Sequence, residues 1–464
     1  MKRLSFFLLV IIWGNLAAPV FPDGGEAPAA RQGGPFVRAA LASWETLLSN
    51  LTLFLGITAA GTSFSSVSPQ TARENLLLSS WRWEAIDRFH INQAGHPYQG
   101  SIYFVSGRTN GFTFYQSLFF TVLGSSTWEI FFESARPALN DFVTTTIGGA
   151  SLGEMVHRIY REFNQPRVLA VTATTLLSPM DRFQDLVVNR YQSYSGGRVP
   201  YLSFSSDFGY TRAGFYNGGS RKDRWDMPNY GMATSLVYGN PFGNPGTVPF
   251  EHFEASFAFH GLLPEWYSAN IISDAYLVSF DALTGDRAKA STGLSLHFDF
   301  FNTSNDFQDN LGYSNLNISA NSLDWTFKLR YIVSPSLVLD VKTHLGWIAW
   351  GNGNYPSYDG PDDIYADYAT GGNLKTFLTL SHASLGRLDA GFIFYQMWTI
   401  PSLVKEAAGS TRFYYTQLSY SYPLTPILSV GIKDTFMLLS SRYDAAPSIR
   451  NSINTANLFI QWTY

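Results

Sequence analysis

Leu323, Trp325, Phe327, Leu329 and Tyr331 alternate with Asp324, Thr326, Lys328 and Arg330, so one face of this segment is apolar and the other carries whole charges. A period of two belongs to an extended strand, and about ten residues is the length a tilted strand needs to cross a bilayer. The pattern recurs. Phe253, Ala255, Phe257 and Phe259 alternate with His252, Glu254, Ser256 and His260, and Leu294, Leu296, Phe298 and Phe300 alternate with Ser295, His297 and Asp299. From Val199 onward about twelve such segments follow one another, centred near Phe204, Leu236, Phe257, Tyr276, Leu296, Phe327, Val341, Leu378, Phe392, Tyr415, Val430 and Ile460. Strands that face lipid cannot leave backbone N–H and C=O groups unpaired, so such a set must close on itself. Residues 199–464 are therefore expected to form a membrane β-barrel of about 12 antiparallel strands, with its charged faces turned into the lumen.

The connections support an even count. Asn240 to Pro249, Leu283 to Arg287, Ser334 to Ser336, His382 to Leu385 and Pro423 to Pro426 are mostly short, whereas Thr211 to Tyr230, Asn302 to Tyr313, Gly351 to Thr370, Pro401 to Gly409 and Ser440 to Pro447 are expected as long loops rich in Gly, Asn, Asp and Ser. Gly261 to Pro264 breaks this alternation by being short. The final residues, Ala456 to Tyr464, alternate as well, with Leu458, Ile460, Trp462 and Tyr464 on the apolar side; this terminal strand resembles the one that the outer-membrane barrel assembly machinery reads. A soluble β-sandwich also has alternating strands, but it does not set whole charges opposite uniformly apolar faces.

Composition fits a barrel. Charged residues make up 14% and aromatic residues 16% of the 464, with 39 Gly and no Cys, and the mean hydropathy is -0.03. A helical membrane protein is far more apolar, while a barrel dilutes its lipid-facing residues with polar ones at every second position and places Tyr, Trp and Phe at the interfaces. A net charge of -4 argues against a nucleic-acid partner. Met1 to Ala18 carries Lys2 and Arg3, an apolar run and then small residues, the layout of a secretory signal peptide. The expected location is the outer membrane, with membrane lipid and the assembly machinery as partners. The absence of cysteine removes disulfides, thiolate metal sites and lipid attachment through an N-terminal Cys.

Residues 19–190 read differently. Apolar residues recur at helical spacing in Phe36 to Ala60, Glu74 to Phe89, Phe114 to Phe132 and Leu139 to Phe163, which predicts an N-terminal α-helical domain, periplasmic or inserted in the lumen. Ala39 to Ala60 has only Glu45 as a charge, so it suits either a membrane interface or a buried core. Within this half lies a dense polar set: Asp87, His90, His96, Tyr98, Arg108, Trp128, Glu129, Glu133, Arg136, Asn140, Asp141, Gly148, Gly149, Glu154 and Arg158. Glu129 and Glu133 are four apart and share a helical face, Glu154 and Arg158 are spaced to pair along a helix, and Gly149 with Gly153 makes a face that another helix can approach closely.

HPYQGSIYF, GSSTWE, RPALNDF and GGASLGEMVHR, in that order and followed by SPMDRF, resemble the domain-of-unknown-function family 3943 of exported Gram-negative proteins, over roughly Trp81 to Arg190. The resemblance implies a cell-envelope setting and assigns no reaction or cofactor. A looser analogy, to VanZ-like and YfiM-like membrane proteins, aligns Asp87, His90 or His96, Glu129, Asp141, Gly148 and Gly149, with Arg88 in place of a usual Lys.

Two readings of the cluster stand side by side. In one, His96, Glu129 and Asp141 are catalytic, with Glu133 beside them, an imidazole and carboxylates doing acid and base work on a lipid or envelope substrate or binding a divalent cation through oxygen and nitrogen ligands; in the other, the whole set is a buried hydrogen-bond and ion-pair network in which Arg108, Arg136 and Arg158 neutralise carboxylates. No residue is assigned as a metal ligand. GASLG at Gly149 to Gly153 fits a nucleophile pattern that works only on a strand-to-helix turn, so Ser151 is assigned to helix packing. His252, His260, His297 and His344 are expected as solvated lumen or rim residues, and Asp359, Asp362, Asp363 and Asp367 as a solvated loop. The resulting expectation is a barrel whose helical domain plugs, gates or scaffolds it, or captures a small solute or lipid. The alternatives are an envelope-lipid-modifying enzyme and a surface protein that binds through its long loops.

Overall fold

The computed structural model describes residues 34–61, 67–83, 89–163, 168–188, 198–243, 246–262, 266–304, 315–354, 366–400, 408–444 and 446–464. The expected signal peptide, Asp87, and Asp359, Asp362 and Asp363 of the acidic loop lie outside them. Two compact units emerge, one bounded by Met1–Glu84 and Ile91–Gly197, the other by Ala85–His90 and Arg198–Tyr464.

The second unit is a closed barrel of twelve antiparallel strands, a transmembrane β-barrel in architecture: β1 Tyr201–Asn217, β2 Ser220–Tyr238, β3 Phe253–Leu262, β4 Trp266–Thr284, β5 Ala288–Ser304, β6 Leu316–Ser334, β7 Leu337–Asn354, β8 Ala366–His382, β9 Gly386–Thr399, β10 Gly409–Pro423, β11 Leu428–Tyr443 and β12 Ile449–Thr463. Each of the twelve expected centres falls on a separate strand. Neighbours in sequence pair in the sheet, and β1 closes the ring by pairing with β12 from Ser203↔Thr463 to Asn217↔Ile449. Closure leaves no edge, so the ladder hydrogen bonds run all the way round. The alternation holds along most of the wall, but Phe253, Phe298 and Phe300, expected on the lipid face, are buried. On β6, Trp325 and Phe327 are exposed, whereas Asp324, Thr326 and Lys328 are buried in the interior. On β12, Leu458, Ile460 and Trp462 face outward and Asn457 faces in.

One expected loop is wrong, and two others, Gly351 to Thr370 and Ser440 to Pro447, are shorter than expected because β7, β8 and β11 run into them. Thr211 to Tyr230 is paired strand almost throughout, turning only at Gly218 and Gly219, whose φ values of 58° and 80° need the left-handed region that glycine adopts without strain. Its polar composition reads as loop because the hairpin carries charges such as Arg212, Arg224 and Asp226. Asp226 takes both arginines on the outer side of the sheet, with Arg212 Nε at 2.8 Å across the hairpin and Arg224 Nε at 2.6 Å along its own strand. Asp367, expected in a solvated loop, falls on β8 opposite Gly353.

The interior also departs from expectation, which was a lumen wide enough for water or for an inserted helix. Toward the end where β5 leads on to β6 and β7 to β8, inward side chains are apolar: Phe215, Phe301, Ile318, Ile348, Met397, Phe413 and Leu439 belong to one buried cluster. The rings of Phe301 on β5 and Phe413 on β10, five strands apart around the ring, approach to 4.8 Å between centroids. That contact crosses the barrel.

Beneath this layer lies buried charge. Lys328 Nζ sits 2.8 Å from His252 Nε2, 2.8 Å from Glu254 Oε1 and 2.6 Å from Asp274 Oδ1. Those three side chains converge closely enough to suit a cation, and the ammonium of Lys328 supplies that charge. Lys375 pairs with Asp299, which also accepts the Tyr395 hydroxyl at 2.5 Å. His252, His260, His297 and His344, expected to be solvated, are at most 8% exposed. A polar side chain enclosed in a filled barrel reaches other side chains instead of water, and these imidazoles bond Lys328, Asp207, Ser295 and Thr326 respectively.

The first unit consists of α1 Pro35–Ala59, α2 Pro69–Asn75, a π-helical turn Ile91–Gly95, α3 His96–Thr109, α4 Phe114–Phe131, α5 Leu139–Phe163, α6 Val168–Leu177 and α7 Pro179–Val188. Pro35, Pro69 and Pro179 open their helices, at the position where a missing N–H leaves no bond unmade. Thr113 and Gln116 close a full capping box at the head of α4. At the centre, α3 and α5 cross with almost no side chain between them: a Cβ on Gly149 would lie 2.6 Å from Gly100 Cα.

Candidate functional site in the helical unit

The α3–α5 crossing places the site. His96 opens α3 directly after the π-helical turn, a backbone form found often at functional sites. Asp141 lies in the first turn of α5, where the helix dipole favours a carboxylate. His96 Nε2 and Asp141 Oδ2 are 3.8 Å apart, an ion-pair distance beyond hydrogen bonding, and both side chains are buried. The Asn140 amide donates to Asp141 Oδ1 at 2.5 Å.

Glu129 is engaged differently. Its Oε2 accepts the Ala138 backbone N–H at 2.8 Å, tying the C-terminal end of α4 to the segment that leads into α5. One turn on, Glu133 Oε1 accepts from the Trp128 indole at 3.0 Å. Both carboxylates are buried, but the expected shared helical face is not formed, because α4 ends at Phe131 and Glu133 lies in the segment beyond it. Between α3 and α1, the Tyr103 hydroxyl donates to Asn50, and Asn50 in turn donates to the Gly124 carbonyl at 3.0 Å. Burial pushes the Tyr103 phenol well above its usual range against the Gln99 hydrogen bond, with the negative charges of Glu129 and Glu133 adding to the rise. The phenol is therefore a fixed donor.

Glu154 forms a second cluster. Burial alone raises a carboxyl pKa, but the guanidiniums of Arg108 and Arg158, each with Nε at 2.8 Å, hold Glu154 below the ordinary carboxylate value. The predicted pairing of Glu154 with Arg158 along the helix is present, and Arg108 joins it from α3. Arg136 is exposed, so the expected neutralising role falls to the other two arginines. Tyr98 donates to the Leu176 carbonyl at 2.6 Å, Trp128 stacks on Phe132, and Gly148 is buried on α5 beside Gly149. His90 groups with the barrel unit. Ser151 is buried in the middle of α5, which is no place for a nucleophile elbow.

A third cluster lies outside the sequence expectations. His157 Nδ1 is 2.8 Å from Asp181 Oδ1, and the Ser178 hydroxyl donates to Asp181 Oδ2 at 2.7 Å. GEMVHR and SPMDRF thus meet through their polar residues. The available signal was Ser178, Pro179 and Asp181, a helix start followed by an acid in the first turn, one residue of which faces back to α5.

No curated protein matches the chain. Among solved structures the chain is similar to the NanC porin at 13% identity, covering 55% of this chain and 98% of that one, with a TM-score of 0.25. It is similar to the outer membrane protease OmpT from Escherichia coli at 12% identity, covering 57% and 97%, with a TM-score of 0.20. It is also similar to the translocator domain of the autotransporter NalP from Neisseria meningitidis at 9% identity, covering 63% and 96%, with a TM-score of 0.27. The segment that brings His96, Glu129 and Asp141 onto adjoining helices, residues 80–180, matches the family model described as Domain of unknown function (DUF3943).

Proposed function

We propose that the chain is an outer-membrane protein whose barrel is a sealed anchor and scaffold for the helical domain, not an open water-filled pore. The observation that carries this reading is the contact of Phe301 with Phe413 across the barrel, backed by buried charge in place of a wet lumen. An open channel exposes its inward residues to water; here Asp299, Asp324, Lys328 and Lys375 are at most 2% exposed. Purified full-length protein in a planar bilayer is expected to give no steady conductance, and Phe301→Ala with Phe413→Ala in one chain to give a measurable one. Stable ohmic steps from the unaltered protein would overturn the sealed-anchor reading.

In the helical domain the hydrogen-bond pattern favours a structural network over catalysis, because Glu129, Glu133 and Glu154 each hold a defined donor. Capture of a small solute or lipid by the domain, and the barrel assembly machinery as a partner, remain parts of the same proposal. The enzyme reading rests on the His96–Asp141 pair. His96→Ala and Asp141→Asn that fold normally but lose an envelope-lipid phenotype would favour it; loss of assembly in both would favour the network.

A further inference from the structure

α1 is built inside out. Its buried residues are Ala42, Glu45, Thr46 and Asn50, three of them polar. Its exposed ones include Phe36 at 86%, Trp44 at 63% and Leu55 at 57%, together with Leu41, Leu47 and Leu51. A helix lying on a water-soluble body has the opposite arrangement, with its apolar stripe inward and its polar face in water. The polar residues of α1 are committed to the unit: Asn110 donates to Glu45 Oε2 at 2.6 Å, and Asn50 donates to the Thr127 hydroxyl at 2.9 Å as well as to Gly124. The single charge between Ala39 and Ala60 is thereby held by hydrogen bonding and turned away from the outer face. Arg38, the last charge before that stretch, bonds the Gly111 carbonyl and lies over the Phe112 ring.

We infer that the outward face of α1 is in contact with the acyl chains of a lipid bilayer. The 25 residues of α1 span about 37 Å at the usual rise of an α-helix, and the helix is long and apolar enough to cross a membrane while only 22% of its most apolar stretch is buried. Exposed apolar surface is not confined to α1. Leu77 and Leu78 after α2, and Leu186 and Val187 on α7, are each about 60% exposed. Apolar exposure on several elements besides α1 fits a surrounding apolar solvent. Small residues at the α3–α5 crossing and polar groups bonded between helices are the packing that helices use when lipid removes the hydrophobic drive for association. Lipid contact at α1 does not depend on the sealed barrel, and the two fail separately, one by accessibility and the other by conductance.

The chain contains no cysteine, so single cysteines can be placed without removing any. Nitroxide labels at Trp44→Cys, Leu51→Cys and Leu55→Cys, in full-length protein reconstituted into phosphatidylcholine and phosphatidylglycerol vesicles, are read for collision with oxygen, which partitions into lipid, and with a water-soluble nickel chelate. The expected result is high oxygen and low nickel accessibility at all three, with a label at the exposed loop residue Arg136→Cys showing the reverse. High nickel accessibility at the α1 sites would overturn the inference, as would low accessibility to both reagents together with label immobilisation, which is the signature of a protein partner or second copy. Three sites along α1 keep the test valid if one variant fails to insert.

Discussion

Gly149→Ala tests the core of the helical unit. The added Cβ would lie 2.6 Å from Gly100 Cα and 2.6 Å from the Gly100 carbonyl carbon, both backbone atoms that no rotamer change can move. Ordinary contact begins near 3.4 Å, so α3 and α5 must separate by about 0.8 Å along a crossing that also seats Gly153 on Phe104 and aligns Arg108 with Glu154. Overpacking of this kind costs about 1–3 kcal/mol and sometimes more; the rigidity of the obstacle places it at the upper end. The gain in helix propensity on replacing Gly by Ala, about 1 kcal/mol, works in the other direction, leaving a net loss of about 1–2 kcal/mol. Gly56→Ala on α1 is the matched control. Nothing lies within 4 Å of its added Cβ, so only the propensity term remains and the variant is expected to gain up to about 1 kcal/mol. Helical circular dichroism during denaturant unfolding of the full chain in detergent micelles reads both. Equal stabilities for the two variants, or a Gly149→Ala protein as stable as the parent, would refute the close crossing and with it the arrangement of the site.

The charged clusters offer tests of their own. Glu154→Gln should destabilise the helical unit by about 3–5 kcal/mol, because it strips the shared partner from two partly buried guanidiniums, and the same unfolding assay measures it. Since Glu154 titrates below its ordinary value of 4.5 when folded, its stabilisation is complete above that value and is lost as pH falls through the folded pKa; a pH series should show this acid slope in the parent and not in Glu154→Gln. Lys328→Met strips the ammonium from the buried Asp274 carboxylate, which then faces the half-buried Glu254 held by Lys342, so the barrel should lose its resistance to heating in dodecyl sulfate at a lower temperature than the parent; an unchanged transition would show that the interior charges are not coupled. Asp181→Asn should loosen α7 from α5 through the His157 contact, visible as faster proteolysis after Leu177, with a parent-like rate counting against that contact.

Much of the barrel is written in the order of side chains. All twelve strands are legible because lipid outside and side chains inside impose strict alternation, and no other environment sets Lys328 and Asp324 opposite Trp325 and Phe327. Where alternation stops being polar against apolar, legibility stops with it. In the first residues of β6, Leu316, Ile318 and Ala320 point inward beside Asn317 and Ser319, the reverse of the membrane pattern further along the same strand. Nothing local announces that those apolar residues meet partners from β1, β7, β9 and β10 on the barrel axis. In the helical unit the glycine face and the Glu154–Arg158 pair are legible from spacing, because one helix fixes both. The His157–Asp181 contact is not, since it joins segments 24 residues apart through a reversal of direction.

The order of residues by itself determined that this chain makes a closed antiparallel cylinder with a helical segment before it, because backbone pairing in lipid and a two-residue period admit no other solution. Only the tertiary structure decided that the cylinder is filled, that His252, His260, His297 and His344 are dry, and that α1 turns its polar residues inward, because each of these depends on which distant side chains meet and not on any repeat along the chain.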